Sequence, residues 1–153
     1  MISSSRVDPV ILGHLLAQHR DLHSRLLMLR AAFAEEQPPG RAGLEAIRGR
    51  LRGLRDHMAS HFVQEEQGGY LEESIARIPR LSAAVKAVMA EHPGLLAEID
   101  SLLECLAVRD IHGESWSAAG RRFAAFADHL IAHERNENAM VQQGYNEDFG
   151  LPD

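Results

Sequence analysis

Apolar side chains recur at spacings of three and four residues along most of the chain, which is the period of one buried face of an α-helix. Four such stripes follow one another, and no run alternates apolar and polar residues as a half-buried strand does. The stripes extend from Leu12 to Phe33, Leu44 to Glu65, Val85 to Leu106 and Trp116 to Met140. The pattern therefore predicts an all-α protein.

Helix-starting and helix-ending residues separate the stripes. Asp8-Pro9 places a capping side chain and a first-turn proline before the first stripe, and residues 37–40 (Gln-Pro-Pro-Gly) end it. Gly68-Gly69 is expected to end the second helix and Gly144 the fourth, with a short segment at Tyr70–Ile78 between the halves. Short loops force neighbouring helices to run in opposite directions, so the predicted fold is an antiparallel up-down four-helix bundle.

One motif, Asp-His-x3-His-x3-Glu, occurs at residues 56–65 and again at residues 128–137, 72 positions later. A further histidine precedes the second histidine of each copy by a similar distance: His19 by 42 residues and His92 by 41. This repetition predicts two helical hairpins that are related by a pseudo-twofold axis. At 153 residues we expect one domain over 1–153, with a core at about 9–143 and a C-terminal tail at 144–153.

The phase of each stripe separates the roles of these histidines. Six residues fall at the inward-facing a and d positions of the helices: His19, His61, Glu65, His92, His133 and Glu137. His57 and His129 fall at flanking g positions and His23 at an e position, so we expect these three to support the ligands or to add a ligand. Unpartnered carboxylates in a core cost several kcal/mol, which favours a metal site over a set of ordinary core histidines.

The height of the histidines along the bundle agrees with a shared site. At a rise of ~1.5 Å per residue, His19 and His61 both lie ~25 Å from the loop that joins their helices, and His92 and His133 match in the same way. Imidazole with carboxylate is a ligand set that suits iron, with manganese or zinc as substitutes, whereas structural zinc prefers thiolates. We therefore expect two iron ions, two bridging glutamates and a bridging oxo or hydroxo group.

The order His, His-x3-Glu, His, His-x3-Glu over four helices resembles the hemerythrin-like (HHE cation-binding) family across about residues 10–143. Leu15-Leu-Ala-Gln-His19 and Val88-Met-Ala-Glu-His92-Pro-Gly-Leu-Leu are similar to helices of that family. The resemblance implies a non-heme di-iron centre that binds O2 and in some members senses oxygen, nitric oxide, peroxide or iron. By position, it implies that the six inward-facing residues are iron ligands and that both glutamates bridge.

Two departures from the family's invertebrate oxygen carriers change the expected role. The carriers have a second histidine four residues from the one on the third helix, where this chain has Val88 and Leu96, and they end with His-x4-Asp. Sensing, storage, iron handling or detoxification is therefore favoured over oxygen carriage. Pro93, directly after His92, is expected to remove the hydrogen bond to Met89 and to kink the third helix.

Three functions compete at this point. The first is a di-iron protein that binds O2, NO or peroxide, and the second is a di-iron oxidase or peroxidase. The third is a structural module whose metal ions only hold the bundle together. Ferritin-like oxidases carry Glu-x-x-His motifs, and none of the histidines at residues 61, 92 and 133 follows a glutamate at that spacing. The sequence therefore leans towards a binding protein and away from an enzyme.

Composition narrows the partners. The net charge is -6, and the basic cluster at Arg41–Arg55 has no interleaved aromatic residues for base stacking, so no nucleic-acid partner is expected. The single cysteine, Cys105, fits a reducing cytosol. No apolar signal region follows Met1 and no run approaches 18 apolar residues. We expect a cytoplasmic protein without a membrane partner, and the sequence does not indicate a protein partner.

Overall fold

The computed structural model of the chain describes residues 9–67 and 79–148. These residues form helices and no strand, which confirms the all-α prediction. The helices are α1 (Pro9–Phe33), α2 (Arg41–Gln67), α3 (Pro79–Met89), α4 (His92–Cys105) and α5 (Gly113–Asp148). The first, second and fourth stripes each lie on one helix, and the third extends across α3 and α4. The expected short segment at 70–78 lies outside the described residues.

The helices pack as a bundle. α1 packs against α2 and α5, and α4 packs against the same two helices, so that these four enclose a common interior. α3 extends α4 towards its N-terminus and packs against α5. Within the two described stretches, no helix is both long and apolar enough to span a membrane.

The interior contains two apolar clusters. The larger includes Leu22 and Phe126, and the smaller includes Leu15, Val88 and Met140. α1 and α5 contribute residues to both clusters, and each carries polar residues between its two apolar parts. On α1, for example, residue 19 lies about one turn from Leu15 on one side and from Leu22 on the other. The apolar periodicity thus buries a polar layer in the bundle and covers it on both sides.

The junction between α3 and α4 lies at this polar layer. The Glu91 N–H donates to the Val88 carbonyl (3.0 Å), a tighter pattern than that of an α-helix, and the Leu95 N–H donates to the Glu91 carbonyl (3.1 Å). Pro93 has no N–H with which to continue the helical ladder. The predicted disturbance at Pro93 is confirmed as an interruption of the helix between Met89 and His92.

Two predicted helix ends were wrong. α5 does not end at Gly144 but continues to Asp148, because one glycine costs a helix only about 1 kcal/mol and the packing of Val141 in the smaller apolar cluster supports this part of the helix. α1 ends at Phe33, before the expected Gln-Pro-Pro-Gly. The ring of Phe33 is stacked on Trp116 (5.1 Å between centroids), whose indole N–H donates to the Glu35 carbonyl (2.8 Å), so this aromatic contact holds the chain as it leaves the helix.

Candidate metal centre

The polar layer contains the six residues that the stripes turned inward, and every one of them is buried. α1 contributes one, α4 one, and α2 and α5 two each, the two on one helix being four residues apart: His19, His61 with Glu65, His92, and His133 with Glu137. Spacing by four residues places a histidine and a glutamate one above the other on the same helix face. The structure therefore brings together all six candidate ligands predicted from the sequence.

Glu137 lies at the middle of the cluster. One of its oxygens, Oε2, is 3.4 Å from Nε2 of His19, and the other, Oε1, is 3.9 Å from Nε2 of His92 and in contact with Nε2 of His133. Glu65 contacts Nε2 of His61, which lies one turn away on the same helix, and its Oε2 is 3.7 Å from Nε2 of His92. Glu65 thus approaches histidines of two helices, and Glu137 approaches histidines of three.

The donor atoms form two overlapping groups, in each of which all ligand atoms lie within 4.8 Å of one another. The first group is His19, His61, Glu65 and Glu137, and the second is His92, His133 and Glu137. Because Glu137 belongs to both groups, two ions held by them would share it.

Several of these atoms lack the partner that a buried polar atom normally has. Within the described residues, six inward-facing atoms make no hydrogen bond: both carboxylate oxygens of Glu65 and of Glu137, and Nε2 of His92 and His133. Nitrogen and oxygen lone pairs that converge without hydrogen bonds suit a common cation, and leaving them unpaired costs about 1–3 kcal/mol per group. The donor set therefore fits a metal centre of mixed nitrogen and oxygen ligands.

The two carboxyl groups carry different charges in the metal-free protein. Burial raises the pKa of Glu65, and the nearby Glu137 carboxylate raises it further, to about 11. Burial alone would also raise the pKa of Glu137, but the close imidazoles of His133, His19 and His92 bring it well below its usual range. Near neutral pH Glu65 is thus protonated and Glu137 ionised, because two buried carboxylates so close together do not both ionise.

The histidines divide in the same way. Burial lowers the pKa of His61 to about 3, and repulsion from the neighbouring imidazoles contributes. Burial alone would lower the pKa of His19 and of His133, but the close contact with Glu137 and its negative charge outweigh burial and raise both. The contact between His61 and Glu65 is therefore one between neutral groups, whereas Glu137 faces protonatable histidines.

The outer nitrogens of the four core histidines form a ring of hydrogen bonds around the bundle. Each Nδ1 is paired with a side chain on the preceding helix in the ring or, for Glu91, at its N-cap: His61 with Gln18, His92 with Glu66 (2.8 Å), His133 with Glu91 (3.1 Å) and His19 with Asn138 (2.8 Å). Such partners fix the ring orientation and leave Nε2 to face the centre. Sequence reasoning missed these four residues, although each directly adjoins a candidate ligand in the chain.

The flanking histidines lie away from the cluster. His57 Nε2 is 2.6 Å from an oxygen of Asp21, and His129 Nδ1 is 2.6 Å from an oxygen of Glu98, both at the bundle surface. His23 is exposed. The Nδ1 partners of the core histidines are thus other residues than these three.

Sequence reasoning also missed Glu134, which follows His133 in the chain. Its side chain is 7% exposed, and Oε1 makes no hydrogen bond with the described part of the chain. Burial raises its pKa to about 7, while the charge of His19 acts in the opposite direction. The equivalent residue in the first copy of the repeat is Phe62, so comparing the two copies would have singled out this position.

Comparison with known families identifies one match. A family model described as the hemerythrin HHE cation-binding domain matches residues 10–143. Neither the curated proteins nor the solved structures that were compared with the chain include a significant match.

Proposed function

The chain belongs to the hemerythrin HHE cation-binding domain family, as its histidine spacing predicted, and we propose that it binds two iron ions and, through them, O2 or a related small ligand such as NO or peroxide. Family membership and the buried histidine–glutamate cluster support metal binding. One observation carries the proposal: among the described residues, inward-facing nitrogen and oxygen atoms of α2, α4 and α5 converge without hydrogen-bond partners.

In the proposed centre each ion takes two histidines, His19 with His61 and His92 with His133. Both glutamates would hold the ions together with these histidines, Glu137 as a member of both donor groups and Glu65 of the first. Neighbouring helices of the bundle then run antiparallel, and the two helical hairpins are related by a pseudo-twofold axis that passes between the ions. Iron suits this mixed nitrogen and oxygen set, and manganese or zinc are the substitutes that we expect to compete for it.

The protein's own groups have three tasks in this proposal. The hydrogen-bond ring on the Nδ1 atoms orients the imidazoles and increases their basicity, the apolar clusters on both sides exclude water, and Glu137 balances the charge of the histidines around it. When bound, the iron pair supplies a redox-active centre at which a small diatomic molecule or peroxide attaches. The proposed roles are sensing, storage or iron handling.

The test is anaerobic reconstitution of the purified chain with Fe(II), followed by metal analysis and optical spectra on addition of O2. We expect two iron ions per chain and a spectrum that reverses under vacuum. Catalytic loss of added peroxide would instead favour the alternative, a di-iron oxidase or peroxidase. A chain that retains no iron after reconstitution would refute the proposal. A metal-loaded chain without any response to O2, NO or peroxide would leave only a structural role for the ions.

A matched pair of variants makes the experiment specific to this cluster. His61→Ala removes a proposed ligand, and His57→Ala removes a histidine from the same helix, one turn away, that contacts Asp21 at the surface. Loss of iron in the first variant and retention in the second is the expected result. Equal loss in both would show that iron is held elsewhere or by a different set of histidines.

A further inference from the structure

A hollow of about 510 Å³ lies between α1 and α5, directly outside the candidate centre. Its lining includes the candidate ligand His19, the Asn138 that is bonded to His19, and Glu134. Arg20 and Arg135 also line it and are both exposed. The hollow thus connects the surface of the bundle to the side of His19 that faces away from the two apolar clusters.

Glu134 is the unusual residue of this hollow. It is more than nine-tenths buried, yet its Oε1 has no hydrogen-bond partner, and neither arginine of the rim forms an ion pair with it in the described portion of the chain. The charges that act on it are those of His19, His133 and Glu137, so it lies within electrostatic reach of the centre. A buried carboxylate without a partner is costly, and a cation passing through the hollow would supply the missing partner.

The two copies of the repeat differ at this position. Phe62 is the counterpart of Glu134, and its ring lies parallel to that of His92 at 3.8 Å between centroids, with an angle of 5° between the planes. The aromatic ring covers the centre on the side of His92, and a carboxylate with one unpaired oxygen borders the surface hollow on the side of His19. This difference makes one side of the centre closed and the other accessible.

We propose that the hollow between α1 and α5 is the route by which divalent cations reach the centre, with Glu134 as the carboxylate that captures the ion before it passes to His19. A negative group in a cleft with low-dielectric walls concentrates cations and accelerates their association. The inference rests on the proposed metal centre, and it adds a transit site that lies outside the six proposed ligands.

Uptake of Co(II) by the metal-free protein tests this route, because Co(II) does not oxidise in air-free buffer and its visible spectrum reports its coordination. We expect Glu134→Gln to slow binding in stopped-flow mixing by about tenfold, while the number of Co(II) ions bound at equilibrium and their spectrum stay unchanged. A site that is only passed through accelerates both directions equally, so removal of Co(II) by a chelator should slow by the same factor. Glu134→Asp keeps the charge and should recover most of the rate.

Glu98→Gln is the matched control. Glu98 borders a different surface hollow, between α4 and α5, and is paired with His129, so the substitution removes the same charge from the other side of the bundle. Its effect on uptake should stay within about twofold, since exposed charges are screened. An unchanged uptake rate in Glu134→Gln would overturn the inference, as would an equal effect of the control.

Two further outcomes are distinct from each other. A lower Co(II) stoichiometry together with an altered spectrum in Glu134→Gln would make Glu134 a permanent ligand of the centre and overturn the transit role. Failure of the unsubstituted chain to bind Co(II) or Fe(II) at all would refute the proposed metal centre itself, independently of Glu134.

Discussion

Glutamine substitutions at the two core glutamates test the charge arrangement derived for the metal-free protein. Burial and the neighbouring carboxylate raise the pKa of Glu65 to about 11, so that it is protonated at pH 7. Burial opposes ionisation of Glu137 as well, but the close imidazoles of His133, His19 and His92 depress its pKa and keep it ionised. Glutamine has the shape of a protonated glutamic acid. Glu65→Gln therefore exchanges one neutral group for another, whereas Glu137→Gln removes a buried anion.

The expected stabilities differ accordingly. Glu65→Gln should not destabilise the metal-free protein at pH 7 and should increase its free energy of unfolding, because Glu65 is ionised in the unfolded chain and must take up a proton on folding, at a cost of up to about 1.4 kcal/mol per pH unit above 4.5 that glutamine does not have. Glu137→Gln leaves His19 and His133 without the carboxylate that raises the pKa of both. Breaking a buried charge pair by removing one partner costs about 3 kcal/mol or more, and we expect a loss of that size.

The assay is urea unfolding of both metal-free variants at pH 7, followed by far-ultraviolet circular dichroism, with metal content as a second readout. Both variants should bind less iron, since a bound cation needs both carboxylates ionised. The deficit should be greater for Glu137→Gln, because Glu137 belongs to both donor groups and Glu65 to one. Equal destabilisation by the two substitutions, or a cost of several kcal/mol for Glu65→Gln, would refute the assignment of the proton to Glu65.

Three further outcomes are expected. His133→Ala should lose at least one iron per chain, while His129→Ala, which alters only the surface contact with Glu98, should retain full stoichiometry in metal analysis. Removal of metal by chelation should lower the melting temperature, since binding to the folded state alone contributes ~4 kcal/mol at a thousandfold excess of free metal over Kd. Because the folded-state pKa of Glu65 is raised, the contribution of its protonated form to stability is fully present below about pH 4.5. This contribution is lost as the pH rises, by up to about 1.4 kcal/mol per pH unit. Urea titrations of the metal-free protein above pH 7 should show this slope, and the slope should be smaller in Glu65→Gln.

The helix phase was the part of the sequence that predicted the site best. Stripes with spacings of three and four residues identify which side chains point inward, and spacing along the helix identifies their height, so His19 and His92 could be placed in one layer with the motif histidines. Helix ends were less predictable. Gly144 resembles a stop signal, yet a single glycine is too weak a helix breaker to end a helix whose preceding turn, with Met140 and Val141, is packed.

The hydrogen-bond ring could not be derived in the same way. Gln18, Glu66, Glu91 and Asn138 each lie next to a candidate ligand in the chain, about 100° around the helix from it. Whether a residue at such a flank faces water or the neighbouring helix depends on how closely and at what angle two helices pack, and one helix alone does not contain that information. The structure shows that all four reach across to a histidine of the next helix in the ring.

Periodicity and repetition in the sequence alone determined the helical architecture and the six inward-facing residues, because both follow from local geometry within one helix. Tertiary packing decided which of the remaining polar residues belong to the centre. Glu66 and Glu134 each follow a proposed ligand, but Glu66 is half-exposed and bonded to His92, whereas Glu134 is buried without a hydrogen-bond partner for Oε1. The burial and partners of a side chain are set by neighbouring helices that are distant in the chain, and for this reason only the assembled bundle distinguishes these two glutamates.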